Sequence, residues 1–271
     1  MTDVRYDLEI TSVQNETVKR LAALKDRKER MSQQKILLEG PHLIEEALRA
    51  DKKLDMLLVS ERGERIVDWP KIRTRFAKQL GTIVKVSDHV LEKISDAKTP
   101  QGICAEMSLP QMASDDLWAT LDSVIALDGL NDPGNLGTII RSAVAMGVQG
   151  IWLGDGCVDV FHPKTIRATQ GAIFHVPFMQ ASIDKGIQIA KASGADVFVL
   201  VPRGGIPLDE TNAKSACWWV VGNEAHGVQN DWKKGQLQLV SIPMDTRTES
   251  LNAAMAATIA CYEMARQRRS E

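Results

Sequence analysis

The sequence predicts an α/β protein of two domains. Three observations carry that reading. The chain has 271 residues, at the length where one hydrophobic core stops growing, about 250–300 residues. Strand-like and helix-like segments alternate from end to end, the pattern of sheets covered by helices. Val197-Phe198-Val199-Leu200-Val201 and Trp218-Trp219-Val220-Val221 are unbroken apolar runs, which suit a parallel sheet buried on both faces.

In the first half, Asn15 to Met31 reads as one helix. Asn15 is its N-cap, and Val18, Leu21, Ala22 and Leu24 share a side. Lys35–Glu39 reads as a strand. Gly40-Pro41 ends it, and Pro41 suits the first turn of a helix to Ala50. A strand over Leu54–Ser60, a helix over Ile72–Leu80 and a strand over Thr82–Val86 follow. Ser87 or Asp88 caps a helix to Ile94, and Ile103–Met107 closes the unit. Residues 1–110 are thus expected to form a small α/β domain, with 111–120 as a linker around Ser114-Asp115-Asp116. In 121–271, strands are expected at Ser123–Asp128, Gly150–Leu153, Asp196–Val201, Cys217–Gly222 and Gln238–Ile242. Helices fit at 135–146, 182–193 and 250–268.

Composition excludes several classes. Hydrophobic residues make up 44% and charged residues 25%, so the chain is expected to fold rather than stay disordered. No apolar run reaches the 18–20 or so residues that cross a bilayer. Residues 1–7 lack the apolar stretch of a secretion signal. The four cysteines are scattered without a CxxC pair, which argues against a structural zinc or a disulfide framework and for a reducing, cytoplasmic location. Net charge is −2, so the chain is not globally basic. Residues 19–35 nevertheless hold seven basic and two acidic side chains, a stretch able to meet phosphates or simply to form a solvated helix face.

Three strand ends are rich in polar residues, where open parallel sheets bind ligands. The first is Asp128-Gly129-Leu130-Asn131-Asp132-Pro133-Gly134-Asn135-Leu136, with Arg141 well inside the following helix. Gly129 and Gly134 have P-loop spacing, but Asn135-Leu136 replaces the Lys-Ser/Thr that would hold phosphate and magnesium, and no GxGxxG is present. The second is Gly222-Asn223-Glu224-Ala225-His226-Gly227. The third runs from Ile242-Pro243-Met244 to Ser250-Leu251-Asn252, with Ser250 as the expected helix cap. Each alone reads equally as a turn or a capped helix, and together they name no reaction.

The three loops together resemble the signature motifs of the SpoU/TrmH family of RNA 2′-O-ribose methyltransferases, in the SPOUT superfamily. The carriers are Asn135 with Arg141, Gly222-x-Glu224-x-x-Gly227, and Ile242-Pro243-Met244 followed by Ser250-Leu251-Asn252, spanning about 121–268. Glu39-Gly40-x-His42, Glu46-Ala47-Leu48 and Gln101-Gly102-Ile103 resemble, more loosely, the family's ribosomal-protein-like substrate-binding domain.

The resemblance implies S-adenosylmethionine as methyl donor, no metal, a deep trefoil knot in the C-terminal parallel-sheet domain and a homodimer. It implies donor contacts at Gly222, Ile242 and Leu251 and catalytic roles for Asn135, Arg141, Glu224, Ser250 and Asn252. Family proposals make the motif-one arginine a base. A guanidinium is effectively always protonated, so Arg141 is expected instead to hold the target phosphate and ribose. Asn135 is expected to position Arg141 or the ribose. Lys19, Arg20, Lys25, Arg27, Lys28 and Arg30 are the expected RNA contacts, and His42 is expected to be structural or capping. The expected substrate is RNA, ribosomal in preference to transfer RNA. Alternatives are a tRNA or resistance-type enzyme of the same family, or a binding protein without catalysis.

Overall fold

The computed structural model describes residues 6–66, 69–223 and 237–269. They form two compact units. One is built from the chain up to Pro110 together with Phe161–Phe174, the other from Gln111–Val160 and from His175 onward.

The first unit begins β1 (Leu8–Ile10), α1 (Glu16–Ala23), α2 (Arg27–Gln33), β2 (Lys35–Glu39), α3 (Pro41–Arg49) and β3 (Leu54–Val59). It continues α4 (Glu61–Ile66), α5 (Trp69–Phe76), β4 (Leu80–Val86), α6 (Asp88–Ile94) and β5 (Ile103–Ser108). The sheet order is β1-β4-β3-β5-β2. Neighbours β1, β4 and β3 are parallel, and β5 runs antiparallel to β3 and β2.

The single helix expected over Asn15–Met31 is two helices. Asn15 caps α1 by accepting from the Thr17 N–H at 2.9 Å. Asp26 restarts the chain as the cap of α2, accepting from Lys28 N–H at 2.7 Å. A side-chain acceptor inside an apolar-periodic stretch competes with the helix backbone and so divides it. Ser87, rather than Asp88, caps α6. Gly102 has φ +82°, and a Cβ there would lie 2.3 Å from the Gly63 nitrogen. Only glycine permits this approach, which seats the Gly102 carbonyl on the Ser60 N–H at 2.9 Å.

The remaining elements are α7 (Asp115–Trp118), β6 (Ser123–Asp128), α8 (Pro133–Ala145), β7 (Gly150–Leu153), α9 (Pro163–Thr169) and β8 (Phe178–Gln180). After them come α10 (Ile183–Ala192), β9 (Asp196–Leu200), β10 (Ile206–Pro207), β11 (Cys217–Gly222), β12 (Gln238–Ser241) and α11 (Ala253–Arg269). Helix α9 belongs to the first unit; the others build the second. The seven-stranded sheet has the order β10-β12-β9-β11-β6-β7-β8, and every pairing is parallel.

One layer of the second core is a tryptophan cluster. Trp118 meets Trp152 edge-on at 5.2 Å between centroids, and Trp218 lies 5.6 Å from Trp152. Such pairs contribute about 0.5–1.5 kcal/mol beyond their burial. The segment read as a linker therefore carries α7, whose Trp118 is fully buried. Helix α11 presents Ala254, Ala257, Ala260 and Cys261 inward, and its Thr258 hydroxyl donates to Ser142 Oγ of α8 at 2.9 Å. Gln267 pins its far end, accepting from Ala213 N–H at 2.8 Å and donating to Thr211 O at 3.0 Å. No described helix is long and apolar enough to cross a membrane.

Candidate active site

Because the second sheet is parallel throughout, the carboxyl ends of β6, β11 and β12 open on one edge. Asp128 and Gly222, the last residues of β6 and β11, are register partners. Strand β9 lies between β11 and β12. A fourth loop, from Leu200 through Arg203, therefore shares this edge. Sequence reading missed it, since Pro202-Arg203-Gly204-Gly205 looks like an ordinary turn.

The first loop is braced from its neighbours. Gly154 N–H donates to Leu127 O and Val158 N–H to Leu130 O, each at 2.8 Å. Asp132 caps α8 by accepting from Asn135 N–H at 2.7 Å, so the helix begins at Pro133. From the second loop, Asn223 Nδ2 donates to Gly129 O at 2.9 Å. Glu224, His226 and Gly227 lie outside the described residues.

The third loop corrects one expectation. Ser250 is exposed and does not cap α11. Asn252 does: its Oδ1 accepts from Ala254 N–H at 3.0 Å and from Met255 N–H at 3.3 Å. Its Nδ2 donates to Asn135 Oδ1 at 3.2 Å, joining the first and third motifs. Arg203 holds the same loop, donating from Nη2 to Thr248 O at 2.9 Å and Thr246 O at 3.4 Å. Within the loop Arg247 pairs with Asp245 at 2.8 Å and holds that exposed carboxyl below its ordinary range.

Arg141 is exposed on α8. Six helical residues set it about 9 Å along the axis and about 120° around it from Asn135. The two side chains therefore face different ways, and no ion pair joins Arg141 to a described residue. Gly222, Ile242 and Leu251 are each half-buried, so a bare backbone and two apolar side chains stay partly open around the three loops. Among the described residues no group of three or more His, Cys, Asp or Glu is placed to hold a metal.

The six cations expected to meet RNA divide. Arg27 and Lys28 are exposed. Lys19 is exposed and paired with Glu16 at 2.9 Å, and Lys25 donates to Lys93 O at 2.9 Å. Arg20 grips the buried carboxylate of Glu106 through both terminal nitrogens. Arg30 is only 1% exposed, and its Nη1 donates to Leu24 O at 2.9 Å and Lys25 O at 2.7 Å. Arg30 therefore holds the α1–α2 turn together and is not a surface cation. His42 caps nothing: Gly40 is the N-cap of α3, and His42 is exposed.

Comparison with known proteins places these features. The sequence profile of the SpoU rRNA Methylase family matches residues 122–262, and that of the MRM3-like substrate binding domain matches 15–105. The 23S rRNA (guanosine(2553)-2′-O)-methyltransferase RlmP of Bacillus subtilis is 34% identical over 260 residues, spanning 94% of this chain and 98% of its own. The rRNA methyltransferase 3, mitochondrial, of Mus musculus is 30% identical, over 92% of this chain and 71% of its own. The AdoMet-bound rRNA methyltransferase of Sinorhizobium meliloti superimposes with a TM-score of 0.84 at 29% identity, over 96% of this chain and 98% of its own. The SpoU methyltransferase AviRb of Streptomyces viridochromogenes, in complex with AdoMet, gives 0.82 at 26% identity, over 95% of this chain and 100% of its own.

Proposed function

The chain belongs to the SpoU rRNA methylase family, and from that premise we propose that it transfers the methyl group of S-adenosylmethionine to a ribose 2′-hydroxyl of ribosomal RNA. The observation that carries this is the Asn252–Asn135 hydrogen bond, which joins two of the three motif loops at the edge where a parallel sheet binds ligands.

The residues present fit the donor. Gly222 offers backbone without a side chain, and the half-buried Ile242 and Leu251 offer apolar surface to a flat ring. Bound there, S-adenosylmethionine supplies an electrophilic methyl group on a sulfonium, and no metal is needed. The protein's task is then mainly alignment of the 2′-oxygen with that methyl, the thioether S-adenosylhomocysteine leaving and the hydroxyl proton passing to water. Arg141 holds the target phosphate and ribose, a task suited to a planar, permanently charged fork. Asn135 and Asn252 fix the floor of the ribose pocket. The reading also gives Glu224 and Ser250 to this pocket, and it includes the family's trefoil knot.

The chain up to about residue 110 is the RNA-binding domain in this reading, with Arg27, Lys28, Lys19 and Lys25 as phosphate contacts and 121–271 as the methyltransferase domain. A homodimer is supported by an exposed apolar stripe on α11. Met255, Ile259 and Tyr262, at i, i+4 and i+7, are 55%, 38% and 49% exposed, and such contiguous patches mark interaction surfaces. A cytoplasmic location is supported by four free thiols.

The test is methyl transfer from radiolabelled S-adenosylmethionine to unmodified bulk ribosomal and transfer RNA, followed by nucleoside analysis. Label in a 2′-O-methylnucleoside of ribosomal RNA is expected. Label in transfer RNA alone would redirect the substrate. Absence of both label and donor binding would leave only an RNA-binding protein.

A further inference from the structure

The first unit encloses a cavity of about 210 Å³ that the methyl-transfer chemistry does not use. Its floor is apolar, formed by Leu43, Leu91, Ile103 and Cys104, all buried. Its mouth carries His42, Gln101 and Gln170, all exposed.

The wall is rigidly built. The carboxylate of Glu39 accepts from the Ser95 hydroxyl, from Asp96 N–H at 3.0 Å, from Ala97 N–H at 3.2 Å and from Arg167 Nη1 at 3.2 Å. Arg167 also donates to Asp96 Oδ2 at 2.6 Å. Gly40, at the edge of the cavity, has φ +92°, a left-handed conformation that favours glycine.

These features select an occupant. The lining's one arginine is already paired with two carboxylates, so a free phosphate or carboxylate would find no counter-charge inside. The apolar floor suits a flat ring face, and the rim amides and imidazole can donate to and accept from a heterocycle's edge. The volume is below the roughly 300–1,000 Å³ of sites for larger ligands, so it fits one ring system. Exposed Lys98 and Arg62 border it, and Arg62 donates to the lining residue Pro100 at 3.0 Å. They are placed for backbone phosphates outside the cavity.

We propose that this cavity receives one unstacked nucleobase of the RNA substrate, read at its edge by His42, Gln101 and Gln170. Single-stranded RNA is commonly recognised by splaying out a base in this way. The proposal rests on the RNA-methyltransferase reading and adds a recognition site to it.

The experiment uses the full chain and an in vitro transcribed large-subunit ribosomal RNA. The double variant His42→Ala, Gln101→Ala changes two exposed side chains that make no hydrogen bond or ion pair with a described residue. It is expected to bind this RNA about tenfold more weakly, with donor affinity unchanged. The slope of log affinity against log salt is also expected to stay as in the wild type, because no phosphate contact is lost. A 4-thiouridine-substituted transcript is expected to crosslink within residues 39–43, 97–104 or 167–170. Unchanged affinity in the double variant, or crosslinks confined elsewhere, would overturn the cavity proposal alone. Wild-type protein that binds neither ribosomal nor transfer RNA would overturn the substrate reading with it.

Discussion

The Asn252 side chain faces two ways: its Oδ1 closes the first turn of α11, and its Nδ2 donates to Asn135 Oδ1 at 3.2 Å, across 117 residues of chain. The two functions separate by substitution. Asn252→Asp keeps an acceptor for the helix N–H groups but sets a carboxylate against Asn135 Oδ1. Asn252→Ala loses both and should cost about 1 kcal/mol of stability through the cap. Thermal melting is expected to rank Asp near wild type and Ala below it. Methyl transfer should fall at least tenfold in both. An Asp variant at wild-type rate would remove the bridge from the mechanism.

Arg141 is exposed and supports no described contact of the fold. Arg141→Lys should therefore melt with the wild type while turnover falls tenfold or more, because an ammonium cannot match a fork-shaped pair of donors. Near-wild-type turnover in single-turnover assays would show that a point charge suffices.

Arg203 is the anchor of the third loop, through the carbonyls of Thr246 and Thr248. Arg203→Gln should loosen donor binding about three- to tenfold by calorimetry while RNA affinity is held. Loss of RNA affinity with intact donor binding would place Arg203 among the phosphate contacts instead.

Gln267 satisfies buried backbone groups at Thr211 and Ala213 and also donates to Glu263 Oε1 at 2.8 Å. Gln267→Ala should cost about 1–3 kcal/mol, a melting shift of several degrees for a chain of this size. Arg266, with help from Gln267, holds the Glu263 carboxyl below its ordinary range. A carboxyl lowered by folding contributes stability above its unfolded pKa and loses it as pH falls through the folded value. The penalty of Gln267→Ala should therefore shrink as denaturation is measured at progressively more acid pH.

Burial pushes the thiols up, Cys217 to about 11 and Cys261 to about 12, with Cys104 and Cys157 also raised. At pH 8 a thiol of pKa 11 is about one part in a thousand thiolate, so maleimide should label the native protein slowly. Mass spectrometry should find Cys157, the half-buried thiol, modified first and all four labelled in denaturant. Rapid native labelling of Cys217 would contradict its burial.

The sheet of the second unit was readable because β9 and β11 are built on unbroken apolar runs, and all five strands expected there are present. The short strands β1, β8 and β10, of two or three residues, carry too few side chains for a period. The break between α1 and α2 was masked because the apolar face of Val18, Leu21 and Leu24 runs up to the end of α1 and Asp26 then reads as one more charge in a highly charged stretch. That the loops carrying Asn135 and Asn252 belong together was legible from their place in the motifs, and the hydrogen bond between the two side chains joins them. That Asn252 rather than Ser250 caps α11 was not, since both are good caps two residues apart and the choice is made by a partner 117 residues away. Arg203 has no local mark, because its role exists only once β9 lies between β11 and β12. Arg30 looked like its basic neighbours, since burial of one guanidinium in a turn leaves no trace in composition.

The tryptophan cluster gives the protein an optical asymmetry. Five of the six tryptophans lie beyond Gln111, and Trp69 alone precedes it. Trp118, Trp152 and Trp218 sit within energy-transfer distance of one another in a dry core. Intrinsic fluorescence therefore reports mainly on the second unit, so loss of its core can be followed apart from the first unit in one cuvette without a dye.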